Sequence, residues 1–238
     1  DKKTFDSLSE SLLKAKSNNI QIALVLGGGN IYRGRELTSL NIDQVPADYI
    51  GMLSTIMNGI ALSNFLSSNN CENNLFSSFA IGNFVKAYSK EEAEKSLVED
   101  KIVILVGGLG NPLFTTDSTA SVRAVELNSD VMLKATNVDG VYSDDPKVNK
   151  EAIKYEHLSF DEAITKNLKV MDQTSLCFCR DNNLSVRVFN ADAETPIPLN
   201  SCKKVSLSCK LASPKFRICC PKSLVNRILK KVFVESLD

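Results

Sequence analysis

Apolar residues along this chain follow two rhythms, and the two alternate. Between residues 3 and 16, Phe5, Leu8, Leu12 and Leu13 recur at helical spacing and predict an opening amphipathic helix. "IQIALVL" (20–26) is then an unbroken apolar run that stops at Gly27-Gly28-Gly29, as expected of a strand buried on both faces and feeding a loop. Helical spacing returns over 48–66 through Met52, Leu53, Ile56, Ile60 and Leu62. Ser89, with Glu92 three residues on, has the form of a capping box opening a helix over 90–98. "KIVILVG" (101–107) and "DVMLKA" (130–135) read as two further buried strands with a helix over 118–127 between them. Helices around 160–166 and 173–182 lead to a last strand, "SVRVF" (185–189).

Strands that alternate with helices, each apolar enough to be covered on both faces, predict an α/β protein: an open αβα sandwich with a mainly parallel central sheet. Ligands in such folds bind beyond the carboxyl ends of the strands. The loops after "ALVL", "VILV" and "VMLKA" all lie at such ends, and they are the glycine-rich and polar ones.

Composition narrows the classes. The 238 residues carry 28 Lys plus Arg against 28 Asp plus Glu, so the whole chain has no field to attract nucleic acid or an anionic membrane. No apolar run approaches a membrane span of about 20 residues, and Asp-Lys-Lys is not the start of a signal peptide. The seven cysteines are odd in number and lack zinc-site spacing, which suits free thiols in a reducing compartment. His157 is the single histidine, with no Ser or Cys beside it, which argues against triad chemistry.

The three loops suggest phosphate. In "GGGNIYRG" (27–34) the glycines let backbone amides approach an oxyanion, and Arg33 offers a planar fork for it; equally, the glycines can serve only a tight strand-to-helix turn. No Walker A pattern is present. In "GGLGNPLFTTD" (107–117) Thr115 and Thr116 can donate to phosphate or base edges. Asp117 has two readings there, as a helix N-cap or as a carboxylate ordering charge beside a transferred phosphate. Asp48 likewise reads as a second N-cap or as a residue holding a ribose or phosphate-bridging group. In "KATNVDGVYSDDP" (134–146), Thr136, Tyr142 and Asp145 offer a hydroxyl, an aromatic face and a carboxylate to an adenosine, although Asp-Gly and Asp-Pro are also ordinary turn pairs.

Six segments, "GGGNIYRG", "ADYIGMLSTIMNGIAL", "GNPLFTTDS", "LKATNVDGVYSDDP", "LKVMDQTS" and "RDNNLSVRVFN", together resemble the bacterial-type uridylate (UMP) kinases of the amino-acid-kinase fold, over roughly residues 1–190. The resemblance implies phosphoryl transfer from MgATP to UMP, giving UDP and ADP, with Mg²⁺ carried by the nucleotide and no protein-held metal. It implies UMP contacts at Gly28, Asp48 and the loop Leu109, Gly110, Asn111, Pro112, Leu113, Phe114, Thr115 and Thr116. Gly29, Arg33, Thr136, Tyr142 and Asp145 fall on the ATP side. Asp117 matches the carboxylate that organises catalysis, with Arg33 and Asp172 as further catalytic candidates. The family further implies a homo-oligomer, usually a hexamer, with nucleotide effectors such as GTP or UTP and no membrane or nucleic-acid partner. It also implies a cytoplasmic location, with the plastid as the alternative.

Three departures shape the expectations. The family opens with a strand and a lysine- and glycine-bearing loop, whereas this sequence starts at the following helix, so the fold is expected to lack that first strand. Loss of such a lysine is worth ~10²-fold or more in rate. Leu109 stands where the family has threonine. After Asn190 the family's ending is replaced by a stretch with nine Lys/Arg against four Asp/Glu. Residues 1–190 are therefore read as an N-terminally incomplete kinase-like domain and 191–238 as a divergent basic tail, either non-native or disordered, with an amphipathic helix possible over 223–234. A non-catalytic nucleotide- or RNA-binding relic of the same fold is the alternative function.

Overall fold

The computed structural model describes residues 2–17, 20–32, 41–190 and 231–236. In chain order they form α1 (Lys2–Lys16), β1 (Gln21–Leu26), α2 (Gln44–Ser68), β2 (Asn73–Ser77), β3 (Lys86–Ala87), α3 (Lys90–Val98), β4 (Ile102–Val106) and α4 (Thr116–Glu126). Next come β5 (Val131–Thr136), β6 (Val141–Tyr142), β7 (Lys154–Tyr155), α5 (Phe160–Thr165), α6 (Gln173–Asp181), β8 (Val186–Asn190) and β9 (Lys231–Ser236).

Seven strands make one sheet in the order β3-β2-β4-β1-β9-β5-β8, and every pairing in it is parallel. The period-two alternation of the buried strands sorts their side chains into two cores. Ala23, Val25, Val103, Leu105 and Met132 face α3 to α6, meeting Leu97, Ala120, Ala124, Phe160 and Leu176. Ile22, Leu24, Leu26, Ile102, Ile104, Val106 and Leu133 face the other way, onto Leu12 of α1 and Ile56, Leu62 and Leu66 of α2. This is the expected αβα sandwich, each fully buried Leu or Ile contributing about 1.5–3 kcal/mol. By length and composition α2 is the one helix among the described residues apolar enough to cross a membrane. Its Ile56, Leu62 and Leu66 are instead buried on the sheet, as in a core helix.

The expected helices and strands are present with ends shifted by a few residues. α2 starts at Gln44 with Asp43 in the N-cap position, so Asp48 lies inside the helix and is not its cap. Ser89 accepts from the Glu92 amide, but its hydroxyl bonds Glu91, so only half of the capping box forms. The full reciprocal box belongs to Ser159 and Glu162 at α5.

β9 departs most from the sequence reading. It lies inside the segment expected to be a tail, and over 231–234 it replaces the expected helix with a strand. The β-branched and aromatic run Val232-Phe233-Val234 suits that conformation. It pairs in parallel with β1 (Leu24↔Val234, Leu26↔Ser236) and with β5 (Lys134↔Glu235), so among the described residues the sheet runs from β1 to β5 through it. The remaining tail, 191–230, lies outside the described residues.

Candidate active site

The carboxyl ends of β1, β4 and β5 open onto the same edge of the sheet. After β1 the chain turns at Gly28, whose carbonyl accepts from the Ile31 and Tyr32 amides at 3.0 and 3.1 Å. A Cβ on Gly28 would sit 2.8 Å from the Gly51 carbonyl and 2.9 Å from Ser54 Cβ, so this glycine is required by its close approach to α2. Asn58 of α2 donates to the Gly27 carbonyl at 2.8 Å and pairs with Asn30, fixing the start of the loop. Gly29 sits in the turn itself. Arg33 lies outside the described residues.

The loop after β4 is wound tightly. Gly107, Gly108 and Gly110 have φ of +77°, +57° and +85°, in the left-handed region that side chains rarely adopt. Thr55 of α2 accepts the Gly107 amide at 2.7 Å, and Gly110 closes a turn onto the Gly107 carbonyl at 3.1 Å. Leu113 is also left-handed, at φ +70°, and 70% exposed. A non-glycine in that conformation costs about 1–2 kcal/mol. The Asp48 carboxylate accepts the Leu113 amide at 2.8 Å and holds it there. Asp48 is thus joined directly to the loop Leu109–Thr116, with Asn111, Leu113, Phe114 and Thr115 exposed and Leu109, Gly110, Pro112 and Thr116 half-buried.

At the end of this loop Thr115, not Asp117, caps α4: its side chain accepts from the Ser118 amide at 3.2 Å. The N-cap reading of Asp117 is therefore corrected. The turn begins two residues earlier, which leaves Asp117 in the first helical turn with its carboxylate unneeded as a cap. That carboxylate forms an ion pair with Lys134 of β5, the two side chains only 14% and 17% exposed. Asp172 is the N-cap of α6 and binds Thr115, Ser118 and Ser175 at once. Burial pushes the Asp172 carboxyl up, but the hydrogen bonds from Ser175 and Thr115, with the Ser175 amide and Ser118, outweigh it and leave the group below its ordinary range. The Thr115 hydroxyl proton is committed to this carboxylate.

Thr136, Tyr142 and Asp145 line one cavity of about 400 Å³, together with Gly140, Lys169 and Val170. Tyr142 donates to Asp139 at 2.6 Å, and Lys154 pairs with the same carboxylate. The Lys154 and Tyr142 bonds hold Asp139 below the usual carboxylate range, while Asp139 raises the Tyr142 hydroxyl. A larger hollow of about 840 Å³ lies against β2, β3 and α3 at the sheet's edge and holds none of the predicted residues.

Lys134 is the residue that sequence reading passed over. Its signal was a lone cation in "VMLKA", at the strand position that shares a face with Met132. Thr55, Asn58 and Ser78 hold the loops from neighbouring elements, and nothing local in their sequence marks them.

A parallel αβα sandwich whose glycine turns, paired charges and cavity gather at the carboxyl ends of its strands has the arrangement of the nucleotide-handling α/β class. The chain belongs to the amino acid kinase family, whose model matches residues 1–190. It is 44% identical over 190 residues, 80% of this chain and 75% of the relative, to the uridylate kinase of Alcanivorax borkumensis. Among solved structures, the UMP kinase of Ureaplasma parvum matches with a TM-score of 0.81 at 40% identity, covering 86% of this chain and 88% of that one. The UMP kinase of Bacillus anthracis matches with a TM-score of 0.83 at 35% identity, covering 89% and 88%.

Proposed function

We propose that this chain is a UMP kinase, transferring the γ-phosphoryl group of MgATP to UMP. A UMP phosphate oxygen attacks the γ-phosphorus while the bond from that phosphorus to the β,γ-bridging oxygen breaks, giving UDP and ADP. No protein nucleophile is required, so alignment and charge do the work. The observation that carries the reading is the Asp117–Lys134 pair beside the loop Leu109–Thr116, in a chain 44% identical to a uridylate kinase.

In this reading Asp48 and the loop Leu109–Thr116 hold UMP, with Gly28 as a further UMP contact in a loop seated tightly against α2. Thr136, Tyr142 and Asp145 hold the adenosine, and the family resemblance assigns Gly29 and Arg33 to the ATP phosphates. Lys134 offsets developing negative charge at the transferred group, Asp117 sets the direction of its ammonium, and Asp172 fixes the end of the acceptor loop through Thr115. Magnesium enters as part of the MgATP substrate. Residues 1–190, with β9 completing the sheet between β1 and β5, form the kinase unit. A homo-oligomer, hexameric as in the resemblance, would cover the exposed stripe Val45, Tyr49, Leu53 and Met57, which recurs every four residues on α2. Nucleotide effectors such as GTP or UTP and a cytoplasmic location, with the plastid as alternative, complete the proposal.

A coupled ADP-release assay with UMP, CMP and aspartate as acceptors tests it. UMP-dependent turnover is expected; ADP release with aspartate alone, or with no acceptor, would overturn the reading. One observation favours a second reading, nucleotide binding without turnover: β9, the strand beside β1, starts at Lys231 but has Glu235-Ser236 at its carboxyl end, where no lysine or glycine stands. Tight UMP binding with no ADP release would select it.

A further inference from the structure

Arg123 lies on α4, six residues beyond Asp117, and is only 9% exposed. Its guanidinium carbon is 3.8 Å from the centroid of the Tyr88 ring, and Nη1 pairs with Glu126 at 2.8 Å. Nη2 donates to the Ser78 hydroxyl at 3.2 Å. The same hydroxyl is bonded to the Gly108 carbonyl, while the Ser78 amide donates to the Val106 carbonyl at 3.1 Å.

The direction of these bonds is set by chemistry. A guanidinium only donates, so the Ser78 oxygen accepts from Arg123 and its single proton is left for Gly108. Gly108 is the middle of the left-handed turn that leads into Leu109–Thr116. Glycines in such a turn lose more conformational freedom on ordering than other residues, so the turn needs an external hold. Ser78 fits that role closely: a Cβ on Gly110 would sit 3.2 Å from Ser78 Cβ.

We propose that Arg123 is a positioning residue for the acceptor nucleotide, acting through Ser78. It ties the turn Gly107–Gly110 to the helix that carries Asp117, so that the acceptor loop and the catalytic carboxylate move as one body. This rests on the proposed UMP kinase reading and adds a residue with no substrate contact of its own. Binding of UMP then meets a loop already ordered, and the benefit falls on UMP and not on ATP, whose cavity lies beyond β5.

The test compares the full chain with Ser78→Ala and Arg123→Met. Amide hydrogen exchange across Gly107–Gly110 is expected to quicken roughly tenfold in both, the scale of one lost hydrogen bond, while Ala23–Val25 in β1 keeps its protection. The KM for UMP is expected to rise by a similar factor, with the KM for ATP and kcat moving less than about threefold. Because Arg123→Met also strands Glu126, Ser78→Ala decides if the arginine variant fails to fold. Unchanged exchange at 107–110 in Ser78→Ala overturns the proposal, as does an equal rise in both KM values. If the unaltered chain turns over no UMP, the function reading fails, while the exchange measurement still decides the brace.

Discussion

Lys134, on the fifth strand of the chain, reaches across to the carboxylate of Asp117 in the first turn of the preceding helix, and both side chains are largely withdrawn from water. A pair so placed is a fixed dipole at the end of a parallel sheet, its ammonium held in one direction before any substrate arrives. Asp117→Asn is expected to abolish turnover, and Lys134→Met to lower kcat by ~10²-fold or more, with far-ultraviolet circular dichroism unchanged in both. The ADP-release assay measures the rates. Normal turnover in Asp117→Asn would reduce that residue to a structural partner of the lysine.

Asp172 makes stability depend on acid. Its carboxyl is held below the ordinary range in the folded chain, so between the folded and unfolded values the unfolded chain binds more protons. The stabilisation is complete above the unfolded pKa of about 3.9 and is lost as pH falls through the lower, folded value. Thermal midpoints recorded from pH 6 to pH 3 should therefore drop less steeply in Asp172→Asn than in the unaltered chain. Equal slopes would show that the Thr115 and Ser175 bonds do not favour the ionised form.

Gly28→Ala should destabilise the fold by about 1–3 kcal/mol, because the new methyl meets the Gly51 backbone and Ser54. Denaturant titration measures the loss. A neutral result would mean that α2 can retreat from the loop.

Leu109→Thr restores a hydroxyl at the position where the resembled family has one. A gained hydrogen bond of about 1 kcal/mol should lower the KM for UMP roughly fivefold without altering that for ATP. Steady-state kinetics with each substrate varied in turn decides it.

Removing residues 231–238 takes a strand from the middle of the sheet. β1 and β5 would each be left with an unpaired edge beside Leu24 and Leu133, both buried in the intact fold. The shortened chain is expected to lose its cooperative thermal transition. A melt unchanged by the deletion would show that β9 contributes nothing to the sheet.

Sheet pattern and loop positions were legible because they depend on local rules. "IQIALVL" and "KIVILVG" are too apolar and too short to be anything but strands buried on both faces, and each runs directly into glycines. β2 was not legible: "NNLFS" carries two apolar residues in five. Its asparagines are satisfied by Ser63, Cys71 and Ser96 from other elements, and it pairs because β4 needs a neighbour. The cap of α4 was misplaced by two residues because Thr115, Thr116 and Asp117 are all good capping residues, and only the path of the preceding loop chooses among them.

The sequence alone therefore determined the αβα class, the three carboxyl-end loops and the family to which they belong. Hydrophobic period and glycine placement act over a few residues, and they need no partner to be read. Tertiary structure decided that Asp117 answers to Lys134, that Asp48 holds Leu113, that Arg123 reaches Gly108 through Ser78, and that β9 fills the space between β1 and β5. Each of those joins residues distant in the chain or displaced by a turn, and a hydrogen bond or strand pairing of that kind depends on where the backbone returns in space.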